Sequence, residues 1–429
     1  MRGAGGVQAM FASIGGFLTK RPYVENTPMP MFLRKLQHAF YLKLIVFLVK
    51  FAPGERHQAF IGSGSARQLC NHIARRGAQR VLVVTDKPLR ELGLVDHAVA
   101  GLVEAGVDLQ YYDGVEPNPT YAQVAEGVAA LRQHRSEVVL AIGGGSSIDC
   151  AKVIAAAATS DDNPENWVGF GKVRHQVLPL YVIPTTSGTG SEATSGAVIS
   201  NTETHQKGII SGAALLPLAT ALDPDLSLGL PPHITAATGM DALTHAIEAY
   251  IGVWERGSRL DDARTSVKLV FDNLASAYHN GSDREAREAL ALGSYYGGLA
   301  INQVNVGNVH AIAHQIGGKY GIPHGLANAL VLPHVLEFCK EEAQARLAEL
   351  ALLVGAGSES DSQSQLAHNF IRAVRDLRTE VGIPDHSDLI RRADYPELAK
   401  AAVQEGAAYP VPRLLDEQTV TAILTKITD

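Results

Sequence analysis

The chain is poor in several things that would each have pointed elsewhere. It has only three cysteines, Cys70, Cys150 and Cys339, in 429 residues. They are odd in number and far apart and form no CxxC pair, so neither a disulfide framework nor a zinc knuckle is indicated, and a reducing, cytoplasmic setting is expected. Aromatic residues make up 6% against 46% apolar residues, with alanine and glycine plentiful. That balance suits closely packed helices and an α/β sheet rather than an all-β fold. Positive charge is not in excess. The net charge of -7 gives no global field for nucleic acid, so no nucleic-acid partner is expected. Long uncharged apolar runs are missing too: Leu44 to Val49 is far too short to span a bilayer.

What is present begins with an unusual N-terminal extension, residues 1–57. It carries Arg2, Lys20, Arg21, Arg34, Lys35, Lys43, Lys50 and Arg56 against Glu25 and Glu55. Its segment 31–52 is apolar, basic and helical in period. Two main readings stand: it packs on the protein or a partner subunit, or it lies in a membrane surface as a peripheral contact with its cations toward head groups. Its basic, acid-poor start also allows an organelle transit peptide. No small-residue cleavage site follows, which argues against a secretory signal.

From about Phe60 strands and helices alternate, as in a parallel sheet with helices on both faces and ligands beyond the carboxyl ends of the strands. This α/β domain is expected over 58–228, and helical periodicity dominates 229–429. Val81 to Asp86 reads as a buried strand ending in a carboxylate. Asp86 either reaches an adenosine ribose, favouring NAD over NADP, or caps the following turn. Glu137 to Ile142 is the strongest strand signal and runs into GGGSSIDCAK, with Gly143, Gly144, Gly145 and Ser146 at a helix start. Such glycines allow close approach of a phosphate to helix N-terminal amides, although alone they read equally as a tight turn. A second loop of glycines and hydroxyls, PTTSGTGSE, follows the strand Leu180 to Ile183. Two such loops at neighbouring strand ends point to a dinucleotide. Residues 201–212 resemble a hairpin excursion with Lys207 exposed.

Downstream, Asp241 and His245 are four apart in an unbroken helical pattern, and His310 and His314 repeat that spacing. Residues at i and i+4 share a helix face. His324 is framed by Pro323 and Gly325 and is expected on a turn. One carboxylate and two or three helical imidazoles, joined by a last imidazole, make a ligand set for a divalent transition metal. Burying so many titratable groups is costly unless something pairs with them.

GGGSSIDCAK, PTTSGTGSEAT, DALTHAIEAY and HAIAHQIGGKYGIPHG occur in that order. Together they resemble the iron-containing (group III) alcohol dehydrogenases from about residue 58 to the C-terminus. The resemblance implies a Rossmann-like, parallel-sheet dinucleotide domain, then an all-α domain with a deep cleft between them, in a dehydroquinate synthase-like architecture, usually as a homodimer. It implies metal ligands at Asp241, His245, His310 and His324, with iron(II) the metal and zinc the alternative. It places His314 near the nicotinamide in proton relay. Coenzyme contacts fall on Asp86, Asn118, Gly143, Gly144, Gly145, Ser146, Asp149, Thr185, Thr186, Thr189 and Lys207. The implied activity is a metal-dependent NAD(P) oxidoreductase that interconverts a primary alcohol and an aldehyde, or a related alcohol and ketone, by hydride transfer, with the metal polarising the substrate oxygen. The alternatives are glycerol dehydrogenase, maleylacetate reductase or dehydroquinate synthase chemistry on the same fold, or a membrane-associated nucleotide-binding scaffold. Two departures from the family pattern, Gln315 for proline and Val411 for asparagine, bear on substrate preference.

Overall fold

The computed structural model describes residues 57–202, 207–254 and 259–428. The expected amphipathic segment 31–52 lies outside them. Among the described residues no helix is long and apolar enough to cross a membrane.

The first part of the chain runs β1 (Gln58–Ile61), α1 (Ser65–Arg75), β2 (Arg80–Val84), α2 (Lys87–Glu91), α3 (Leu94–Glu104), β3 (Asp108–Tyr112), α4 (Tyr121–His134), β4 (Val138–Gly143), α5 (Gly145–Ala157) and β5 (Leu180–Pro184). A short antiparallel pair follows, β6 (Gly196–Ser200) with β7 (Lys207–Ser211), and then β8 (Ala219–Leu222). The six-stranded sheet has the order β1-β8-β5-β4-β2-β3. Its β2–β3, β2–β4 and β5–β8 ladders are parallel. Every residue of β4 is buried, because a parallel strand covered on both faces must be apolar throughout. Leu82, Val84, Val139 and Val182 pack with Ile148 and Ile154 of α5 in one core. Each such side chain contributes roughly 1.5–3 kcal/mol on burial. The α4 start is fixed by a capping box, Thr120 with Gln123, which satisfies two otherwise orphaned amides.

The remainder is helical: α6 (Pro232–Ile251), α7 (Arg259–His279), α8 (Arg284–Val304), α9 (Asn308–Tyr320), α10 (His324–Phe338), α11 (Gln344–Leu353), α12 (Gln363–Glu380), α13 (Tyr395–Gly406) and α14 (Glu417–Lys426). Pro232 opens α6 at a position where its missing N–H costs nothing. A second core joins Leu243, Ile247, Val270, Ile312, Leu330 and Phe370. Contacts divide the chain into two units. Among the described residues the sheet unit holds 57–60, 67–183 and 195–221; the helical unit holds residues from 222 onward together with 61–66 and the loop 184–194.

His334 of α10 is held down to about 4, from 6.5, first by burial and then by the charges of Arg378, Lys426 and Arg375. The unfolded chain therefore takes up this proton at a higher pH than the folded one, and stability falls as pH drops from 6.5 to 4. Changing His334 to Gln is expected to remove about 1–2 kcal/mol of that acid loss, allowing for screening of a part-exposed group. Denaturant melts of parent and variant at about pH 5 and about pH 7 would read the difference. Equal acid losses in the two proteins would refute it.

Candidate active site

Helix α6 presents Asp241 and His245 from one buried face, and α9 presents His310 and His314 one turn apart. One ligand atom from each of Asp241, His245, His310 and His324 lies within 4.8 Å of the others. The rings are in contact: His245 stacks on His310 with centroids 4.7 Å apart, and His310 lies 5.2 Å from His324. His314 sits outside this set of four and stacks on His324 at 5.3 Å. His324 is not on a turn, as the Pro–His–Gly frame had suggested. Helix α9 continues through Gly317 and Gly318 to a left-handed cap at Gly321, and His324 is the first residue of α10. Pro323, extended at φ -54 and ψ 136, launches that helix. Its second residue is glycine of necessity: a Cβ on Gly325 would lie 2.1 Å from the Ala237 carbonyl oxygen and 3.2 Å from Asp241 Cβ.

Three groups not anticipated from the sequence orient these residues. Glu248, one turn beyond His245 on α6, is buried and accepts from Gly307 N at 2.8 Å, Val309 N at 2.6 Å and His310 Nδ1 at 2.6 Å. It caps α9 and turns the His310 ring with the same carboxylate. The Gly188 carbonyl accepts from His245 Nδ1 at 3.3 Å. Because carbonyls only accept, the proton sits on Nδ1, and Nε2 keeps its lone pair. Asn328, one turn into α10, places its Nδ2 2.6 Å from Asp241 Oδ1, 3.1 Å from His310 Nε2 and 3.2 Å from His324 Nε2. Three acceptor atoms thus converge on one small region. Glu248 and Asn328 carried a faint sequence signal, since each lies three or four residues from a candidate ligand.

The electrostatics suit a cation. Burial keeps His310 and His324 well below the ordinary imidazole range, so both are neutral with lone pairs to offer. Burial alone would raise Asp241, but the imidazoles of His324, His245 and His310 and the Asn328 amide outweigh it and hold the carboxyl below its usual range. One carboxylate and three imidazoles, two of them oriented through Nδ1, fit a divalent transition metal.

The sheet unit gathers most of the expected coenzyme residues. Gly143 has φ +153, and a Cβ there would lie 2.5 Å from Ser147 Oγ, so only glycine fits. Gly144 precedes α5 without any side-chain cap, and Gly145 and Ser146 open the helix only half-buried. That start leaves its amides to an anion. Asp86 is the N-cap of α2, its Oδ1 accepting from Leu89 N at 3.0 Å, while its Oδ2 lies 3.6 Å from where a Gly143 Cβ would be. Burial raises its carboxyl, against the pull of the Leu89 amide. Asp149 spends one oxygen on Val198 N at 2.8 Å. Lys207, expected in solvent, is half-buried at the start of β7, and burial lowers its ammonium pKa against the pull of Asp149. Asn118 is exposed with a left-handed φ of 59. Thr185, Thr186 and Thr189 lie in the loop 184–194 and so belong to the helical unit. A Cβ on Gly190 of that loop would meet Gly298 Cα of α8 at 2.5 Å, so backbone is pressed on backbone.

Residues 57–224 match the family description "Iron-containing alcohol dehydrogenase", and residues 235–428 match "Fe-containing alcohol dehydrogenase family, C-terminal". The chain is 40% identical over 368 residues to a 1,3-propanediol dehydrogenase of Klebsiella pneumoniae, covering 85% of this chain and 95% of that one. It is 35% identical over 366 residues to the NAD-dependent methanol dehydrogenase of Bacillus methanolicus, covering 85% and 96%. The crystal structure of a 1,3-propanediol oxidoreductase superposes with a TM-score of 0.84 at 38% identity, covering 86% of this chain and 97% of that one. The chain belongs to the iron-containing alcohol dehydrogenase family and is an oxidoreductase acting on CH–OH groups.

Proposed function

We propose that Asp241, His245, His310 and His324 hold one divalent metal, iron(II) by family and zinc as the alternative. We further propose that the enzyme interconverts a small primary alcohol and its aldehyde with NAD. The observation that carries this reading is that one ligand atom from each of Asp241, His245, His310 and His324 lies within 4.8 Å of the others, with Glu248 and Gly188 fixing two of the rings. A bound metal would supply Lewis acidity toward the substrate oxygen, and the nicotinamide would accept hydride.

The chain's own residues do the rest. Gly143, Gly144, Gly145 and Ser146 bind the pyrophosphate at the start of α5, with Lys207 and Asp149 nearby. Asn118, Thr185, Thr186 and Thr189 complete the coenzyme contacts. Asp86 accepts from a ribose hydroxyl and repels a 2′-phosphate, which favours NAD over NADP. His314 takes the hydroxyl proton on its open ring nitrogen and passes it to water. The complete donor set opposes the metal-free maleylacetate reductase reading.

The test is to strip the protein with a chelator and reload it with iron(II) or zinc, following NADH formation over a panel of short- and long-chain alcohols. Activity is expected to vanish on stripping and return with metal, with NAD used at least about tenfold better than NADP. Full activity in stripped, metal-free protein would defeat the proposal.

A further inference from the structure

Glu405 lies on α13, far in sequence from the four motifs that carry the candidate ligands and glycine loops. Its Oε1 accepts from His314 Nδ1 at 2.6 Å and from the Tyr409 hydroxyl at 2.6 Å. Its Oε2 accepts from Gln315 Nε2 at 2.6 Å, and Gln315 also donates to the Ala311 carbonyl at 3.1 Å. Tyr409 is buried, so its hydroxyl is a fixed donor. The carboxylate is therefore gripped from two sides and aimed at one imidazole.

A carboxylate gives no proton to Nδ1, so Nδ1 of His314 carries the hydrogen and Nε2 is left as the basic nitrogen. The ring is held flat against His324, with 20° between their planes. The side chains of His314 and His324 are 21% and 32% exposed, whereas those of Asp241 and His310 are sealed at 3% and 2%. His314 thus stands between a closed donor set and water.

We propose that Glu405 is a positioning residue that fixes His314 with Nε2 as its proton-accepting atom, and that Gln315 and Tyr409 lock the carboxylate for this purpose. This rests on the relay role given to His314 above. The proton leaves the substrate hydroxyl, arrives on His314 Nε2 and departs to water, while the Nδ1 hydrogen stays on the ring throughout. The carboxylate holds the ring's orientation and its Nδ1 hydrogen, and it is itself held by Gln315 and Tyr409. Gln315 gives this chain a donor that proline could not provide at that position.

The experiment uses the full-length, metal-loaded enzyme and the variants Glu405→Gln, Glu405→Asp, His314→Ala and Glu405→Gln/His314→Ala. Glu405→Gln is expected to lower kcat by about 10²-fold with KM and bound metal unchanged, and Glu405→Asp to recover part of the loss. In the His314→Ala background Glu405→Gln should cost nothing more, because its only route of action is gone. Imidazole ¹⁵N shifts of the zinc-loaded protein should report a single Nδ1–H form for His314 that becomes mixed in Glu405→Gln. Independent, multiplying losses in the double variant, or an unchanged tautomer, would overturn the proposal. If His314→Ala keeps the parent kcat, the relay reading fails, and the ¹⁵N shifts alone then decide what Glu405 does. Should Glu405→Gln not fold, Tyr409→Phe serves in its place, with a smaller kcat loss that is again silent in His314→Ala. A loss that persists there counts against the idea.

Discussion

Replacing His310 with alanine is expected to abolish tight metal binding and to lower alcohol oxidation by at least about 10⁴-fold. His310 is the central imidazole of the cluster, in ring contact with His245, His314 and His324. Its Nδ1 is committed to Glu248 and its Nε2 faces Asn328 Nδ2. Alanine at this place removes one donor and one ring from a sealed space and leaves Glu248 with two donors in place of three. Metal content measured by mass spectrometry after gel filtration, alongside turnover with added iron(II), reads both effects at once. The same pair of losses is expected for His324→Ala. Its side chain is more exposed, so the fold should tolerate that change better. A His310→Ala protein that retained one metal per chain and parent turnover would remove the ligand assignment.

The second large effect is expected at Glu248. Changing it to Gln keeps the shape but sets an amide –NH₂ against the N–H groups of Gly307, Val309 and His310. At least one buried donor then goes unpaired, costing about 3 kcal/mol in the metal-free protein. Because the same carboxylate turns the His310 ring, metal affinity should fall by about 10–100-fold. Denaturant unfolding of stripped protein reads the first quantity and a competitive chelator titration the second. Burial pushes the Glu248 carboxyl up to about 7, against the pull of the two amides, so both measurements belong at a pH held constant between parent and variant. A variant with parent stability and parent metal affinity would show that the carboxylate neither caps α9 nor orients the ring.

Much of the site was legible before any coordinates, and the reason is spacing. Asp241 with His245 and His310 with His314 declare a shared helix face by sequence separation alone. The glycine runs declare tight turns after apolar strands, and the structure has a strand end and a helix start on either side of Gly143–Gly145. What could not be read depends on partners distant along the chain. Glu248 and the Gly307 amide are separated by 59 residues, and Glu405 and His314 by 91. No local period encodes such pairs. Glu248 and Asn328 were nevertheless within reach of the rule that picked out the candidate ligands, since each follows one of them by about one helical turn. Lys207 misled because a lysine in a polar hairpin is usually solvated, whereas here the strand start around it is half-buried. His324 misled because Pro and Gly on either side of a residue ordinarily mean a turn. Here the proline starts a helix, and the glycine is there for room against Ala237.

The contact between Gly325 and the Ala237 carbonyl has a bearing on how this protein can drift over generations. A mutation from glycine at 325 changes no donor atom, yet the added carbon must push the start of α10 away from α6, taking His324 with it and away from Asp241. The histidine therefore cannot be kept by selection unless its hydrogen-only neighbour is kept as well. Sites of this kind contract tolerance at positions whose own side chain supplies no donor atom.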